Sequence, residues 1–367
     1  VRVFHLVKSL GRGGAEMLLL HTARTHRDIE LAYGYFLPWK GQLAGDLEAT
    51  GARVECFGAR SNMATLSATP KVARFLASWR PDVVHCHLPI AGVVGRLAGA
   101  IARTPVVYTE HNLTERYHPA TRAAARATWK LQRQVIAVSD EVAASIDRNH
   151  RFSVPVEVVR NGVPCESFDG LDELRAATRA SLGLADGHVL VGSVAVFRTQ
   201  KRLDLWLDVA ARTVRDHPSV RFVLVGDGPE RANVEGWIRE RGLDDVVTLV
   251  GLQEDVRPFL AAMDVYLMSS EFEGLPVALL EAMSSRLPPV VTAVGGIAEV
   301  IADGENGLLA ERHDVAGLAR LLATLVESPD RRRRLGAAAR ATVEQDFSIG
   351  RMSRHLETIY ERVAARA

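Results

Sequence analysis

The stretch SSEFEGLPVALLEAMSS (269–285) sets two glutamates, Glu273 and Glu281, around a run that is otherwise apolar. On one continuous helix the two would sit roughly 80° apart in projection and would share no face. Gly274 and Pro276 give a better account, because glycine permits a tight backbone and proline is tolerated in a first helical turn, where its missing N–H is not needed. The helix is therefore expected to start near Pro276, after a strand DVYLM (264–268) and a loop SSEFEG. Its first amides, around Gly274, Leu275, Pro276 and Val277, then lie at the positive end of a helix on the carboxyl edge of a parallel sheet, where doubly wound domains bind anions. Glu281, more than a turn further in, is costly in a core unless polar groups meet it, and paired ribose hydroxyls are natural donors to it. Glu273 would face whatever lies beyond the phosphates. The plain alternative is a capping glutamate followed by an exposed helical one.

Outward from this stretch, short β-branched runs alternate with longer helical patterns. VRVFHLV (1–7), DVVHCH (82–87), PVVYT (105–109) and QVIAV (134–138) come first; HVLVGSV (188–194), VRFVLVG (220–226), VVTLVG (246–251), DVYLM and PVVTA (289–293) follow. The rhythm reads as βαβ units around parallel sheets, restarted once, so two Rossmann-like doubly wound α/β domains are expected. RNGVPCESFDG (160–170) concentrates structure-breaking residues between them and places the hinge near Pro164. The expected domains are 1–164 and 165–347. The last stretch, 348–367, carries Met352, Leu356, Ile359, Tyr360 and Val363 on one stripe behind Ser348, an amphipathic helix expected to dock back on the first domain.

At 367 residues the chain suits two domains, and 47% hydrophobic with 24% charged residues fits a globular protein. Its 45 basic and 44 acidic residues leave a net charge of +1, which gives no global reason to expect a nucleic-acid partner. Cys56, Cys86 and Cys165 are scattered and form no CxxC pair, so neither a disulfide framework nor a zinc ribbon is indicated and a reducing cytoplasm is expected. No signal-peptide pattern opens the chain as given, and no run of about 18 apolar residues occurs. Two basic features stand out. Asp330 with Arg331 to Arg334 reads as a solvated helix face, and Arg122, Arg126, Lys130 and Arg133, with Trp129 beside them, read as a solvent face or a peripheral contact to anionic lipid.

Together these motifs resemble the family 4 retaining glycosyltransferases of GT-B fold. The resemblance runs along nearly the whole chain: HLVKSLGRGGAE (5–16), TEHN (109–112), AVSDEV (137–142), RNGV (160–163), FRTQKR (197–202), VGDGPER (225–231), the Glu273–Glu281 stretch and TAVGGIAEVI (292–301), in that order. It implies two domains facing a central cleft and transfer of a hexosyl unit from a nucleoside diphosphate sugar to an acceptor hydroxyl, with retention of configuration. Uridine is the base it implies, and glucose or N-acetylglucosamine the sugar.

The resemblance gives Glu281 the ribose, Glu273 the donor sugar, and the amides from Gly274 onward the sugar and phosphate. Arg198 and Lys201 are the cations for the departing diphosphate, a task fixed charges perform without reorganisation; alone, they read equally as a surface basic pair. Gly11, Gly13 and Gly14 match neither GxGxxG nor a Walker loop; small residues there would let the backbone approach a phosphate or acceptor, the resemblance places their loop at the cleft with Gly13 and Gly14 on the donor, and the alternative is a plain βα turn. His111, at the end of a strand, is implied to reach the donor sugar; the alternative is a satisfied core histidine. His85 and His87 alternate on one strand face, and with His111 a metal pair is conceivable, but no carboxylate at ligand spacing accompanies them. There is no Asp-x-Asp in the chain, so the leaving group is expected to be stabilised without a metal and without any other cofactor.

Two departures from the family pattern stand out. Val196 occupies a position where many members carry arginine, and Arg286, ahead of Pro288-Pro289, stands where the family usually has glycine. The acceptor, whether glycan, lipid-linked or a small molecule, is expected to be set by loops such as 36–42 and 61–70, which carry no readable code. Two rival functions keep the same architecture. A nucleotide-sugar epimerase would yield an epimeric donor with no free diphosphate, and a non-catalytic nucleotide-sugar-binding protein would bind without turnover. The expected location is cytoplasmic, with peripheral contact at the inner face of the membrane.

Overall fold

The computed structural model describes residues 1–366 except 27, 62 and 151–153, so position 62 of the expected acceptor loop and position 367 of the terminal stretch lie outside the described residues. The chain divides into two compact units, Val1–Gly162 with Ile349–Ala367, and Val163–Ser348.

The first unit is built on seven parallel strands: β1 (Arg2–Leu6), β2 (Glu30–Tyr35), β3 (Arg53–Cys56), β4 (Val83–His87), β5 (Val106–Glu110), β6 (Gln134–Ala137) and β7 (Val156–Val158). Their order is β3-β2-β1-β4-β5-β6-β7. The second unit has β8 (Val189–Val194), β9 (Val220–Val225), β10 (Val247–Gly251), β11 (Val265–Met268), β12 (Pro289–Thr292) and β13 (Leu308–Ala310), in the order β10-β9-β8-β11-β12-β13. Helices alternate with the strands in both units, and this is the two-domain Rossmann-like arrangement of the GT-B fold. In each sheet the order reverses once, between β1 and β4 in the first and between β8 and β11 in the second. Loops leaving the carboxyl ends of strands at such a reversal diverge and open a ligand crevice.

The central strands are covered on both faces, which is why they read as continuous apolar runs: every residue of β4, β5, β11 and β12 is buried. In the second unit Trp206 is fully buried, and its Nε1 donates to the Leu267 carbonyl at 3.1 Å, pinning the helix Leu203–Asp216 under the sheet. The terminal helix Ile349–Ala364 belongs to the first unit. Its Leu356, Ile359, Tyr360 and Val363 enter that core beside Leu19, Leu20 and Ala23, each contributing roughly 1.5–3 kcal/mol of apolar burial. Glu357 on the same helix accepts from His26 Nδ1 at 2.6 Å.

Several strands are silent in the sequence pattern. β3, β7 and β13 are short, and β2 mixes glycine and tyrosine into ELAYGY. Arg126, Lys130 and Arg133 of the basic stripe at 122–133 are exposed, as a solvent face requires, but its helical continuity and its Trp129 are corrected by the structure. The helix carrying it, Pro119–Thr128, ends before Lys130 and Arg133, and Trp129 is buried, stacked on His150 at 3.5 Å with the Arg96 guanidinium 5.0 Å from its ring centre. Trp129 is therefore a core residue and offers nothing to a lipid surface. The Asp330 run opens the helix Pro329–Asp346, where Arg333 is exposed and pairs with Asp330 while Arg332 turns back to the carbonyls of Leu325 and Val326.

Candidate active site

In the second unit the loops after β8 and β11 meet at the reversal of strand order. The loop after β8 is held by its neighbour after β9: Phe197 N–H donates to the Asp227 carbonyl at 3.0 Å, and Glu230 N–H to the Phe197 carbonyl at 3.1 Å. A β-carbon on Gly228 would lie 2.4 Å from the Phe197 oxygen, so the glycines of VGDGPER let these backbones pass in contact. A 3-10 turn Thr199–Lys201 follows, with Arg198 exposed just before it. Among the described residues the Arg198 guanidinium has no acidic partner.

Two hydrogen-bond sets tie this turn to the loop after β11. Ser269 Oγ donates to the carbonyls of Lys201 and Arg202, and Glu271 N–H to the Gln200 carbonyl. Glu273 is 5% exposed and accepts from Lys201 Nζ at 2.5 Å, Ser270 Oγ at 2.7 Å and Gln200 Nε2 at 3.3 Å. The structure thus brings Glu273 and Lys201 into direct contact. Sequence reasoning missed Ser270 and Gln200, although both lie inside the quoted motifs.

Beneath the same loop runs TAVGGIAEV. Gly295 adopts φ +53°, and a β-carbon there would lie 1.9 Å from the Glu273 carbonyl oxygen. Gly296 N–H donates to the Gly274 carbonyl at 2.8 Å. The double glycine is thereby a floor for the Glu273–Gly274 backbone, which a side chain would lift out of place.

The helix after this loop runs Val277–Ser284, with Pro276 at its N-cap, φ −73°. Gly274, Leu275 and Pro276 are buried, and the amides of the first turn have no side-chain cap. Glu281 sits in the second turn, 8% exposed. Among the described residues no group donates a hydrogen bond to its carboxylate. Burial, reinforced by Asp255, raises its pKa from 4.5 to about 7. A mostly buried carboxylate that keeps only a narrow opening to solvent and meets no protein donor among the described residues suits a site whose polar partners come from outside the protein.

In the first unit, the helix Gly14–Thr25 follows β1, with Gly13 at an N-cap that has no side-chain hydrogen bond. Its first turn carries Glu16, so this helix start faces a carboxylate of its own, and a β-carbon on Gly13 would meet that side chain at 2.6 Å. His111 directly follows β5. Its backbone N–H donates to Glu110 Oε1 at 3.1 Å, and its Nε2 lies 3.2 Å from His87 Nδ1. Glu110, not singled out in the sequence, is buried and accepts from Tyr108 and Tyr117 hydroxyls at 2.8 and 2.5 Å; burial raises its pKa to about 7 despite these donors. Among the described residues His5, His85 and His87 form the one group whose nitrogens are close enough to hold an ion, and His111 is not one of the three. They border a partly open pocket of about 20 Å³.

Arg286 has φ +59°, and a β-carbon on Gly336 would lie 2.0 Å from its carbonyl oxygen. That left-handed backbone explains why glycine suits this position in the resembling sequences. Arg286 lines a cleft of about 420 Å³ that includes none of Arg198, Lys201, Glu273 or Glu281.

A doubly wound pair of domains, one of which carries an exposed cation, a Lys–Glu pair and an unmet carboxylate on the elements around its crevice, presents a candidate ligand site on a GT-B scaffold. Comparison with known proteins agrees. Residues 175–342 match the family described as glycosyl transferases group 1, and residues 1–167 match glycosyltransferase family 4. The D-inositol 3-phosphate glycosyltransferase of Kribbella flavida is 30% identical over 70% of this chain and 66% of its own length. The lipopolysaccharide core biosynthesis glycosyltransferase LpsE of Rhizobium meliloti is 34% identical over 50% of this chain and 52% of its own. Alr3699/HepE of Anabaena, crystallised in complex with UDP-glucose, superposes with a TM-score of 0.89 at 25% identity over 98% of this chain and 99% of that one. The chain belongs to glycosyltransferase family 4, and it is a glycosyltransferase.

Proposed function

We propose that this enzyme transfers a hexosyl unit from a nucleoside diphosphate sugar, with UDP as the nucleotide, to an acceptor hydroxyl, with retention of anomeric configuration and without a metal. The observation that carries the reading is Glu281, a buried carboxylate with no protein donor, one helix turn behind amides that have no side-chain cap. Ribose hydroxyls satisfy the carboxylate, and the diphosphate takes the positive end of the helix. The complex of Alr3699/HepE with UDP-glucose supports uridine and glucose as the first donor to test.

Arg198 and Lys201 would carry the leaving group. Lys201 is held by Glu273 in the structure described here, so a diphosphate entering the site competes for a cation already placed. Such preorganised charge stabilises a developing phosphate charge with little rearrangement. Glu273, held by Lys201, Ser270 and Gln200, would orient the sugar hydroxyls. His111 would contact the donor sugar. The acceptor proton would pass to the departing phosphate oxygen on the same face of the sugar, a route that needs no covalent nucleophile.

The acceptor is proposed as a glycan, lipid-linked or small-molecule hydroxyl. Among the described residues no helix is long and apolar enough to cross a membrane. A cytoplasmic enzyme with peripheral membrane contact is the location we propose, and that contact would have to be made without Trp129. Incubation with UDP-glucose and an acceptor panel in EDTA tests the whole reading. An α-linked product with stoichiometric UDP supports it. An epimeric nucleotide sugar without free UDP, or binding with no product, would replace it with the epimerase or the binding protein.

A further inference from the structure

The first unit buries histidines at its own reversal point. His5 on β1 pairs in register with His85 on β4, and His87 pairs with Thr109 on β5. Side chains two residues apart on a strand share a face, so His5, His85, His87 and Thr109 lie on one side of the sheet, and His111 follows Thr109 by two.

Three of the rings form a chain. His5 Nδ1 lies 3.0 Å from His87 Nε2, and His87 Nδ1 lies 3.2 Å from His111 Nε2. The His5 ring lies nearly parallel to those of Tyr33 and His87, with centroids 5.0 and 5.3 Å away and planes within 17°. His85 does not compete, because its Nδ1 is taken by the Tyr360 hydroxyl at 2.7 Å and its Nε2 by Thr109 Oγ1 at 2.6 Å. Burial lowers the pKa of His5 to about 3 and of His111 to about 4, and drives that of His87 well down, so all three are neutral at pH 7.

A neutral imidazole has one N–H and one lone pair. Both nitrogens of His87 face other imidazoles, so the chain has only two settings. In one, every proton points from His5 toward His111; in the other, every proton points back. The second setting puts a proton on His5 Nε2, which is buried and has no partner among the described residues. The first leaves only a lone pair there. Orphaned buried N–H groups are rarer in proteins than under-satisfied acceptors, and the pocket that His5 borders is lined largely by aliphatic side chains, Leu18, Leu19, Ile136 and Leu356 among them, with Thr22 and Asn161 as polar members.

We propose that His5 and His87 are positioning residues that hold His111 in its Nδ1–H tautomer, so that His111 presents a hydrogen-bond donor, not an acceptor, to its ligand. Among the described residues Nδ1 of His111 has no protein partner. The role of the ligand rests on the transfer reaction proposed above; the tautomer does not.

The test is two-bond ¹H–¹⁵N correlation spectroscopy of the full chain labelled at histidine. His111 is expected to show a pyrrole-like Nδ1 and a pyridine-like Nε2 at pH 7. His5→Phe and His87→Phe each preserve a flat ring and remove the nitrogens, and either is expected to release His111 into a tautomer mixture. His87→Phe should also lower kcat about 10- to 100-fold, the loss typical of a misplaced catalytic contact, with donor KM changed less than about threefold. A proton on His111 Nε2 in the unsubstituted chain would overturn the proposal, even if neither variant folds. So would a stoichiometric metal ion in the purified protein, bound through His5 and His87. A His111→Ala chain with undiminished turnover would instead remove His111 from the reaction while leaving the tautomer result standing.

Discussion

Replacing Glu281 by glutamine should make the ligand-free protein more stable and the ligand weaker, two effects of opposite sign at one residue. The carboxylate is buried without a donor, and its pKa rises from 4.5 to about 7. In the unfolded chain it titrates near the ordinary value, so between about pH 4.5 and 7 the folded state holds a proton that the unfolded state has lost. Stability therefore falls as pH rises through this window, and the full penalty is present above pH 7. A shift of that size corresponds to about 3 kcal/mol. Glutamine keeps the shape and removes the charge, so at pH 8 Glu281→Gln should gain up to about 3 kcal/mol in urea unfolding, and the gain should vanish below about pH 4.5. Nucleotide binding should move the other way. A hydrogen bond to a charged acceptor is worth about 1.5–3 kcal/mol; glutamine keeps one accepting oxygen and replaces the other by a donor, so UDP should weaken about 10- to 100-fold by calorimetry. A variant that is destabilised at pH 8, or that binds UDP as before, would refute the idea that Glu281 is held ready for a ligand.

Lys201→Ala should lower kcat about 100-fold or more if the lysine stabilises the leaving group, and full turnover in a steady-state assay would remove it from the mechanism. Gly295→Ala meets both a positive φ and the Glu273 carbonyl, so it should cost about 1–3 kcal/mol by thermal unfolding and abolish donor binding; an unperturbed variant would mean the loop can move aside freely. Tyr360→Phe removes the hydroxyl bonded to His85 and should cost about 1 kcal/mol, with UDP affinity in calorimetry unchanged; a large loss of affinity would contradict that separation.

Residues 269–285 were readable because each step has a local cause. A glycine and a proline mark a helix start, and the start of a helix after a parallel strand carries its own electrostatics. Glu281 is visible for the same reason, as a charge in a run that is otherwise apolar. The partners of Glu273 were not visible. Ser270 and Gln200 are ordinary polar residues in sequence, and they become a cradle only where the loops after β8 and β11 meet. The glycines at 228 and 295 are explained by atoms far away in the chain, the carbonyls of Phe197 and Glu273. Trp129 misled because helical spacing was extended past Thr128, where the backbone turns and sends the indole inward onto His150. Glu110 lies among the polar residues Thr109 and His111 at a strand end, where only the Tyr108 and Tyr117 hydroxyls reveal its role. The significance of His5 comes from strand register, which sets it against His85 and His87, about 80 positions away.

The most direct test of the central claim is calorimetric titration of the unsubstituted chain and Glu281→Ala with UDP and UDP-glucose in EDTA. We predict metal-independent binding of both ligands to the unsubstituted chain and loss of both in the variant. Binding that requires a divalent ion, or that survives in Glu281→Ala, would contradict the account.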